Sequence, residues 1–386
     1  MSKAWLLPAH IADVLPAQAG SLERLRRQWL DMANARGFEL IIPPLLEHLE
    51  SLLSGTGQAL DLQTFKLVDQ LSGRLMGVRA DTTPQAARID AHLLNRQGVT
   101  RLCYCGPVLR TLPSGLQSSR EPLQFGAEIF GHAGLEADWE IQDLAVSILS
   151  QVPHPLSMDL ADARILTALL DGFELEPAAL QDLVEALSAK DSAAVTQCSQ
   201  GLPQPVREAL CALTGLYGAD DVLTEASQSL GNDRRITRAL SDLGWLAAHL
   251  KRAHPSLRVG FDLSDLGGYS YYSGPRFGIF CEASSDALVR GGRYDEVGAV
   301  FGRNRPAVGF SLDLKAVAHL LPGQASGGAV RAMWSEDPSM RQAVEGLRGS
   351  GETVVVLLPG ELAESGDWVF DRELVLVDGR WAVRAL

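Results

Sequence analysis

The chain has 386 residues, a formal net charge of −13, and 46% hydrophobic against 21% charged residues. This length exceeds the roughly 250–300 residues that one hydrophobic core accommodates, so two or three domains are expected. The acidic balance, without a long basic run, argues against a nucleic-acid-binding protein, and no apolar run approaches the roughly 20 residues that cross a bilayer.

The opening segment is interrupted by Pro8, His10 and Asp13 and makes a poor signal peptide. Five scattered cysteines do not suit a disulfide framework, and the Cys103/Cys105 spacing suits neither a zinc knuckle nor a thioredoxin-type motif. A reducing cytoplasm is the expected compartment.

Leu22, Leu25, Trp29, Met32 and Ala33 fall on one face of a helix over residues 17–36 that stops at Gly37. A short strand over 38–42 ends on Pro43 and Pro44. Residues 64–68 and 74–78 read as a hairpin around Leu71, Ser72 and Gly73. In the following VRADTTPQAAR, Thr83 as N-cap and Pro84 at the first helical position announce a helix to about residue 94. Asp81 and Thr83 thus stand where a strand meets a helix, either as ligand groups or simply as caps.

Strands are expected over 100–106 and 108–112, then a polar loop, then a strand over 123–130. In that last strand Gln124, Gly126 and Glu128 share one face while Leu123, Phe125, Ala127 and Ile129 share the other. Arg110, placed in the partner strand, is expected across from Gln124 and Glu128. A strand face carrying Arg, Gln and Glu is costly to cover unless partners or a ligand satisfy it.

An amphipathic helix (136–150) and a strand near 156–160 precede an Ala/Leu-rich, mostly helical stretch with breaks near Gly172, Pro203, Gly215 and Gly231. The sheet pattern resumes in apolar runs at 259–263, 277–281, 287–289 and 308–312, expected as neighbouring antiparallel strands. Glycines cluster there, at Gly267, Gly268, Gly274, Gly291, Gly292 and Gly309, where backbones approach something closely. Between them Tyr271, Tyr272, Arg293 and Tyr294 are able to stack and hydrogen-bond around a small polar ligand. After a linker at PGQASGG, a βαβ unit and a hairpin about Asp378–Gly379 complete the chain. The expected division is a core domain in two parts (1–162 and 255–320), an inserted helical domain (163–254) and a small α/β domain (328–386).

ADVLP with its following helix, VRADTTPQAAR, GPVLR with QFGAEIFG, YSYYSG, GGRYDEV and PAVGFSLDL occur in an order that resembles the class II aminoacyl-tRNA synthetase core. Within that class they resemble the histidyl-tRNA synthetase branch. The resemblance implies an α+β fold, an antiparallel sheet flanked by helices, with the helical insertion and a small C-terminal α/β domain. It also implies a histidine-binding site. Asp81 and Thr83 would take the α-amino group; Gln124, Tyr271 and Tyr272 would line and orient; Glu128 and Tyr294 would meet the imidazole; Arg110 would face the carboxylate.

The ATP-side positions depart from that pattern. Leu112 stands where the synthetases have a glutamate, and Ser118, Gly267 and Ala316 stand where they have arginines, although Arg120 remains. Amino-acid activation needs fixed cations at the reacting phosphorus, and one lost donor of this kind typically lowers the rate by about 10²–10³. A kept histidine pocket with lost activation chemistry is similar to the family of regulatory subunits of ATP phosphoribosyltransferase. That resemblance implies a hetero-octamer with the short-form catalytic subunit, self-association of the core as a dimer, L-histidine as feedback ligand, and no cofactor. A divergent histidyl-tRNA synthetase is the alternative; an RNA-binding pseudo-synthetase would need a basic patch, and a scaffold would not bind histidine.

Overall fold

The computed structural model describes residues 6–53, 57–113, 115, 118–269, 271–322, 328–362 and 368–386. The chain divides into two compact units, Met1–Pro322 and Gly323–Leu386.

In the first unit, helix α1 (Pro16–Asn34) buries Leu22, Leu25, Trp29 and Ala33, the stripe that three- and four-residue spacing creates. Trp29 meets Phe125 edge-on, with ring centroids 5.5 Å apart. Gly37, at φ +80°, ends the turn in a conformation that favours glycine. A short strand β1 (Glu39–Leu40) then joins the main sheet. Strands β2 (Leu46–His48), β3 (Phe65–Val68) and β4 (Leu75–Val78) form a separate three-stranded sheet in the order β2-β4-β3, with helices α2 (Leu49–Leu53) and α3 (Gly57–Gln63) between β2 and β3.

Helix α4 (Thr83–Arg88) continues as a π-helical turn over Ile89–Leu94. Its start differs from the expected Thr83 cap by one residue. Thr82 holds the cap position, and the Asp81 Oδ1 accepts the Thr83 amide at 3.0 Å. The Thr83 hydroxyl, freed from capping, lies 2.9 Å from the Tyr104 hydroxyl instead.

The main sheet is built from β5 (Thr100–Pro107), β6 (Leu123–Phe130), β7 (Leu156–Asp162), β8 (Tyr217–Gly218), β9 (Arg258–Asp262), β10 (Pro275–Cys281), β11 (Val289–Arg293) and β12 (Ala307–Asp313), together with β1. The strand order is β1-β5-β6-β12-β11-β10-β7-β9-β8. The block from β5 to β7 is antiparallel throughout. Helix α5 (Leu135–Ile148) packs Ile141, Leu144, Ala145 and Ile148 into the same core as Phe125, Ala127 and Ile129 of β6. Helix α12 (Leu314–Ala318), capped by Asp313, follows β12.

Three expectations about this sheet are corrected. Residues 108–112 are not a strand; only an isolated bridge joins Thr64 and Arg110. Pro107, with no N–H, closes the regular β5 ladder. The strand expected over 287–289 lies at Val289–Arg293, because Gly291 and Gly292 are themselves ladder residues opposite Phe310 and Gly309. Finally, β9 is not a neighbour of β10: β7 lies between them, parallel to β9. A long helical crossover returns the chain in the same direction, whereas a hairpin reverses it.

That crossover comprises α6 (Ala163–Leu169), α7 (Pro177–Ser188), α8 (Ser192–Cys198), α9 (Gln204–Leu213), α10 (Asp221–Ser229) and α11 (Arg234–Ala253). Its buried residues, among them Leu183, Leu210, Leu243 and Leu250, belong to the hydrophobic cluster that also holds the sheet residues Phe277 and Ile279.

The second unit contains β13 (Ala329–Met333), helix α13 (Pro338–Gly349), β14 (Val354–Leu357) and the hairpin β15 (Phe370–Val377) and β16 (Arg380–Ala385), in the order β14-β13-β15-β16. Val330, Met340, Val344 and Leu374 form its core. Asp378 and Gly379, at φ +47° and +75°, make the hairpin turn. Residues 323–327 of the expected linker lie outside the described residues.

Candidate functional site

One face of the main sheet carries a row of four residues in register: Glu128 on β6, Gly309 on β12, Gly292 on β11 and Arg276 on β10. The next row is Gly126, Ser311, Arg290 and Gly278. Glycine is required on this floor. A Cβ at Gly309 would stand 1.5 Å from the Glu128 Oε2, and one at Gly126 would stand 2.4 Å from the Tyr104 hydroxyl. The two glycines therefore let a carboxylate and a phenol lie flat over the sheet. Above the floor is a cavity of about 60 Å³, bordered by Asp81, Glu128, Tyr271, Tyr272, Arg290 and Tyr294. A water needs about 10–15 Å³ of such space, so the cavity holds several waters or one compact polar ligand.

Glu128 is 1% exposed. The Tyr104 hydroxyl donates to its Oε1 at 2.9 Å and the Tyr294 hydroxyl donates to its Oε2. Burial pushes the Glu128 carboxyl up to about 8, with the tyrosine hydrogen bonds acting in the opposite direction. Burial likewise raises the Tyr104, Tyr271 and Tyr294 phenols well above their ordinary value, with the nearby Glu128 adding to the effect.

Asp81 is held at the cavity rim from two sides. Its Oδ1 accepts the Thr83 amide at 3.0 Å and the Gln124 side-chain amide at 2.8 Å. Gln124 in turn accepts the Thr82 amide at 2.9 Å through its Oε1. Both the helix-start and the ligand readings of Asp81 are thus compatible with its position, since it accepts the first helical amide while bordering the cavity.

The Tyr271 ring stacks on Tyr294 at 5.0 Å and meets Tyr272 edge-on at 5.3 Å. The Tyr271 hydroxyl is buried and has no hydrogen-bond partner among the described residues. An orphaned hydroxyl beside a polar cavity is costly unless something occupies the space. The Arg276 guanidinium lies 5.2 Å over the Tyr272 ring, with its Nη2 3.2 Å from Asp265. It also borders Gly267, where a Cβ would be 3.8 Å from the Arg276 Nη2.

Of the residues expected at the site, Asp81, Thr83, Glu128, Tyr271, Tyr272 and Tyr294 converge on the cavity. Gln124 supports Asp81 from behind. Arg110 is corrected: Gly106 and Leu102, not Arg110, lie opposite Gln124 and Glu128. Arg110 follows the end of β5, its amide donating to the Arg120 carbonyl at 2.8 Å and its Nε 3.4 Å from the Ala80 carbonyl. Arg293 is also corrected, because it points away from the cavity to Asp138, with its Nε 3.1 Å from the carboxylate, and donates to the His132 and Gly134 carbonyls. Both members of that pair are buried, and burial pushes Asp138 up to about 6 despite the guanidinium beside it.

Tyr104, Arg276, Arg290 and Ser311 were not anticipated from the sequence. Alternation in β5 puts Leu102, Tyr104 and Gly106 on one face, so the signal for Tyr104 was its register opposite Gly126. A larger open depression of about 320 Å³ lies at the β7-β9-β8 end of the sheet, bordered by Ser157, Asp159, Gly218 and Arg258.

The fold and cavity define a class II synthetase-like protein with a compact polar site on its sheet. A family model described as histidyl-tRNA synthetase matches residues 10–317. A second, described as the ATP phosphoribosyltransferase subunit HisZ C-terminal domain, matches residues 317–384. The ATP phosphoribosyltransferase regulatory subunit of Albidiferax ferrireducens is 58% identical over 385 residues, covering 99% of this chain and 100% of the relative. The protein of the same description from Variovorax paradoxus is also 58% identical over 385 residues, with the same coverage of both chains. Among solved structures, an ATP phosphoribosyltransferase regulatory subunit/histidyl-tRNA synthetase from Bacillus halodurans superposes with a TM-score of 0.80 at 26% identity, covering 94% of this chain and 96% of the other. The chain belongs to the family of ATP phosphoribosyltransferase regulatory subunits, non-catalytic subunits built on the synthetase fold.

Proposed function

We propose that this chain binds free L-histidine in the cavity over Glu128 and relays its presence as feedback inhibition to a short-form ATP phosphoribosyltransferase catalytic subunit, which it otherwise activates. The observation that carries this reading is a buried carboxylate held by two tyrosines, with a second carboxylate at the rim of the same cavity. Glu128 meets the imidazole N–H; Asp81, with the Thr83 hydroxyl nearby, takes the α-ammonium; Tyr271 and Tyr272 cover the ring. Gln124 is a positioning residue, since its amide is spent on Asp81 and the Thr82 backbone. A further proposal is that the pair assembles as a cytoplasmic hetero-octamer in which the synthetase-like cores form dimers. The three-part division of the chain, with residues 163–254 as an inserted domain, is proposed in the same terms.

A divergent synthetase is disfavoured by position rather than by motif count. The arginine absent at Gly267 and the one absent at Ala316 leave the activation step without two fixed cations. Titration calorimetry with L-histidine tests the site. Saturable one-to-one binding to the wild-type protein, lost in Glu128→Ala with the fold retained, is the expected result. Unchanged affinity in that variant would place histidine elsewhere, and histidine-dependent ATP–pyrophosphate exchange would restore the synthetase reading.

A further inference from the structure

Resting on the histidine reading above, we propose that Arg290, not Arg110, receives the α-carboxylate of the ligand. A free amino acid is a zwitterion, and a site for it needs an anion for its ammonium and a cation for its carboxylate. Among the described residues bordering the cavity, the charged side chains are Asp81, Glu128 and Arg290. Asp81 is the partner for the ammonium and Glu128 for the imidazole, which leaves Arg290 as the cation for the carboxylate. Arg110 does not border the cavity.

Register gives the spacing. Arg290 lies opposite Ser311, and Ser311 lies opposite Gly126, the row next to Glu128. Two strand spacings separate Arg290 from β6, about 10 Å at the backbone. A glutamate and an arginine reaching inward from those positions leave a gap that suits one amino acid. Arg276 is a weaker candidate: its side chain is 3% exposed, covered by Tyr272 and held by Asp265.

Arg290 also has donors to spare. Among the described residues its guanidinium meets the Asp265 Oδ2 at 3.4 Å and lies 5.9 Å from the Phe280 ring, and its side chain is 52% exposed. A guanidinium carries five N–H donors, and a contact of 3.4 Å is long for a charged pair. An arriving carboxylate therefore finds Arg290 oriented by Asp265 and open to a two-pronged contact. Because Asp265 also binds the buried Arg276, the same exchange changes the balance of charge on the turn that leads into Tyr271 and Tyr272.

The experiment is calorimetry with L-histidine and with L-histidinol, which carries a hydroxymethyl group in place of the carboxylate. Wild-type protein, Arg290→Gln, Arg290→Lys and Arg110→Gln are compared, with ligand-free melting curves to confirm folding. Arg290→Gln should weaken histidine by about 10–100-fold, the usual range for a lost charge-assisted contact, and leave histidinol unchanged. Arg290→Lys should fall between, and Arg110→Gln should retain the wild-type preference for histidine. If Arg290→Gln keeps that preference, or Arg110→Gln loses it, the assignment is overturned while the histidine site stands. If wild-type protein binds no histidine, the functional reading fails and the assignment with it.

Discussion

Glu128→Gln keeps the shape of a buried side chain and removes its titration. In the ligand-free protein the carboxyl titrates at about 8 rather than at its ordinary 4.5 because burial disfavours the ion. The folded state therefore holds a proton that the unfolded chain has already released between those two values. Stability from this group is fully present below pH 4.5 and is lost as pH rises toward 8. At about 1.4 kcal/mol per pH unit, that interval sets a ceiling of about 5 kcal/mol. Glutamine is neutral at every pH and still accepts a tyrosine hydroxyl, so the variant should not share the loss. Urea denaturation of both proteins at pH 5, 7 and 9, without histidine, provides the assay. The wild-type stability should fall relative to the variant across the series, with most of the difference accrued by pH 8. Parallel profiles would mean that Glu128 does not carry the buried proton, and the electrostatic account of the site would be wrong.

Other consequences concern binding and packing. The complex holds one proton between Glu128 and the imidazole, whose free value is about 6.5. Histidine affinity should thus be highest between about 6.5 and 8, falling on the acid side as a proton must be released and on the alkaline side as one must be taken up; a flat profile in calorimetry would contradict this. Asp81→Ala should weaken histidine by about tenfold or more through the ammonium group. A loss of helix stability with unchanged affinity would assign Asp81 to capping alone. Gly309→Ala places a methyl group 1.5 Å from the Glu128 Oε2, so the carboxylate must be displaced. Histidine binding should disappear and the melting temperature should drop, whereas full binding would show that the floor is looser than the register implies.

The sequence was most informative where one side-chain periodicity had one outcome. The α1 stripe, the alternation of Gln124, Gly126 and Glu128, and the Asp378–Gly379 turn all follow from local geometry. It was least informative where the answer depended on which strand is whose neighbour. Apolar runs at β9 and β10 look alike, yet a helical crossover sends one beside β7 in parallel and the other to its opposite edge. Arg110 and Arg293 went astray for related reasons. The β5/β6 register sets Leu102 opposite Glu128 and leaves Arg110 level with Arg120, beyond the start of β6, and Arg293 was drawn to Asp138 on a helix 155 residues away in sequence. Arg290 and Tyr104 carried no motif, and they became visible only once register placed them beside Ser311 and Gly126.

The central claim is that histidine acts through the cavity over Glu128. It is tested most directly by mixing this chain with a short-form ATP phosphoribosyltransferase catalytic subunit and following phosphoribosyl-ATP formation as histidine is added. The wild-type chain should raise activity, and histidine should then suppress it. The Glu128→Gln chain should raise activity equally and blunt the suppression. Equal inhibition by histidine with either chain would contradict the claim and locate the sensor outside this cavity.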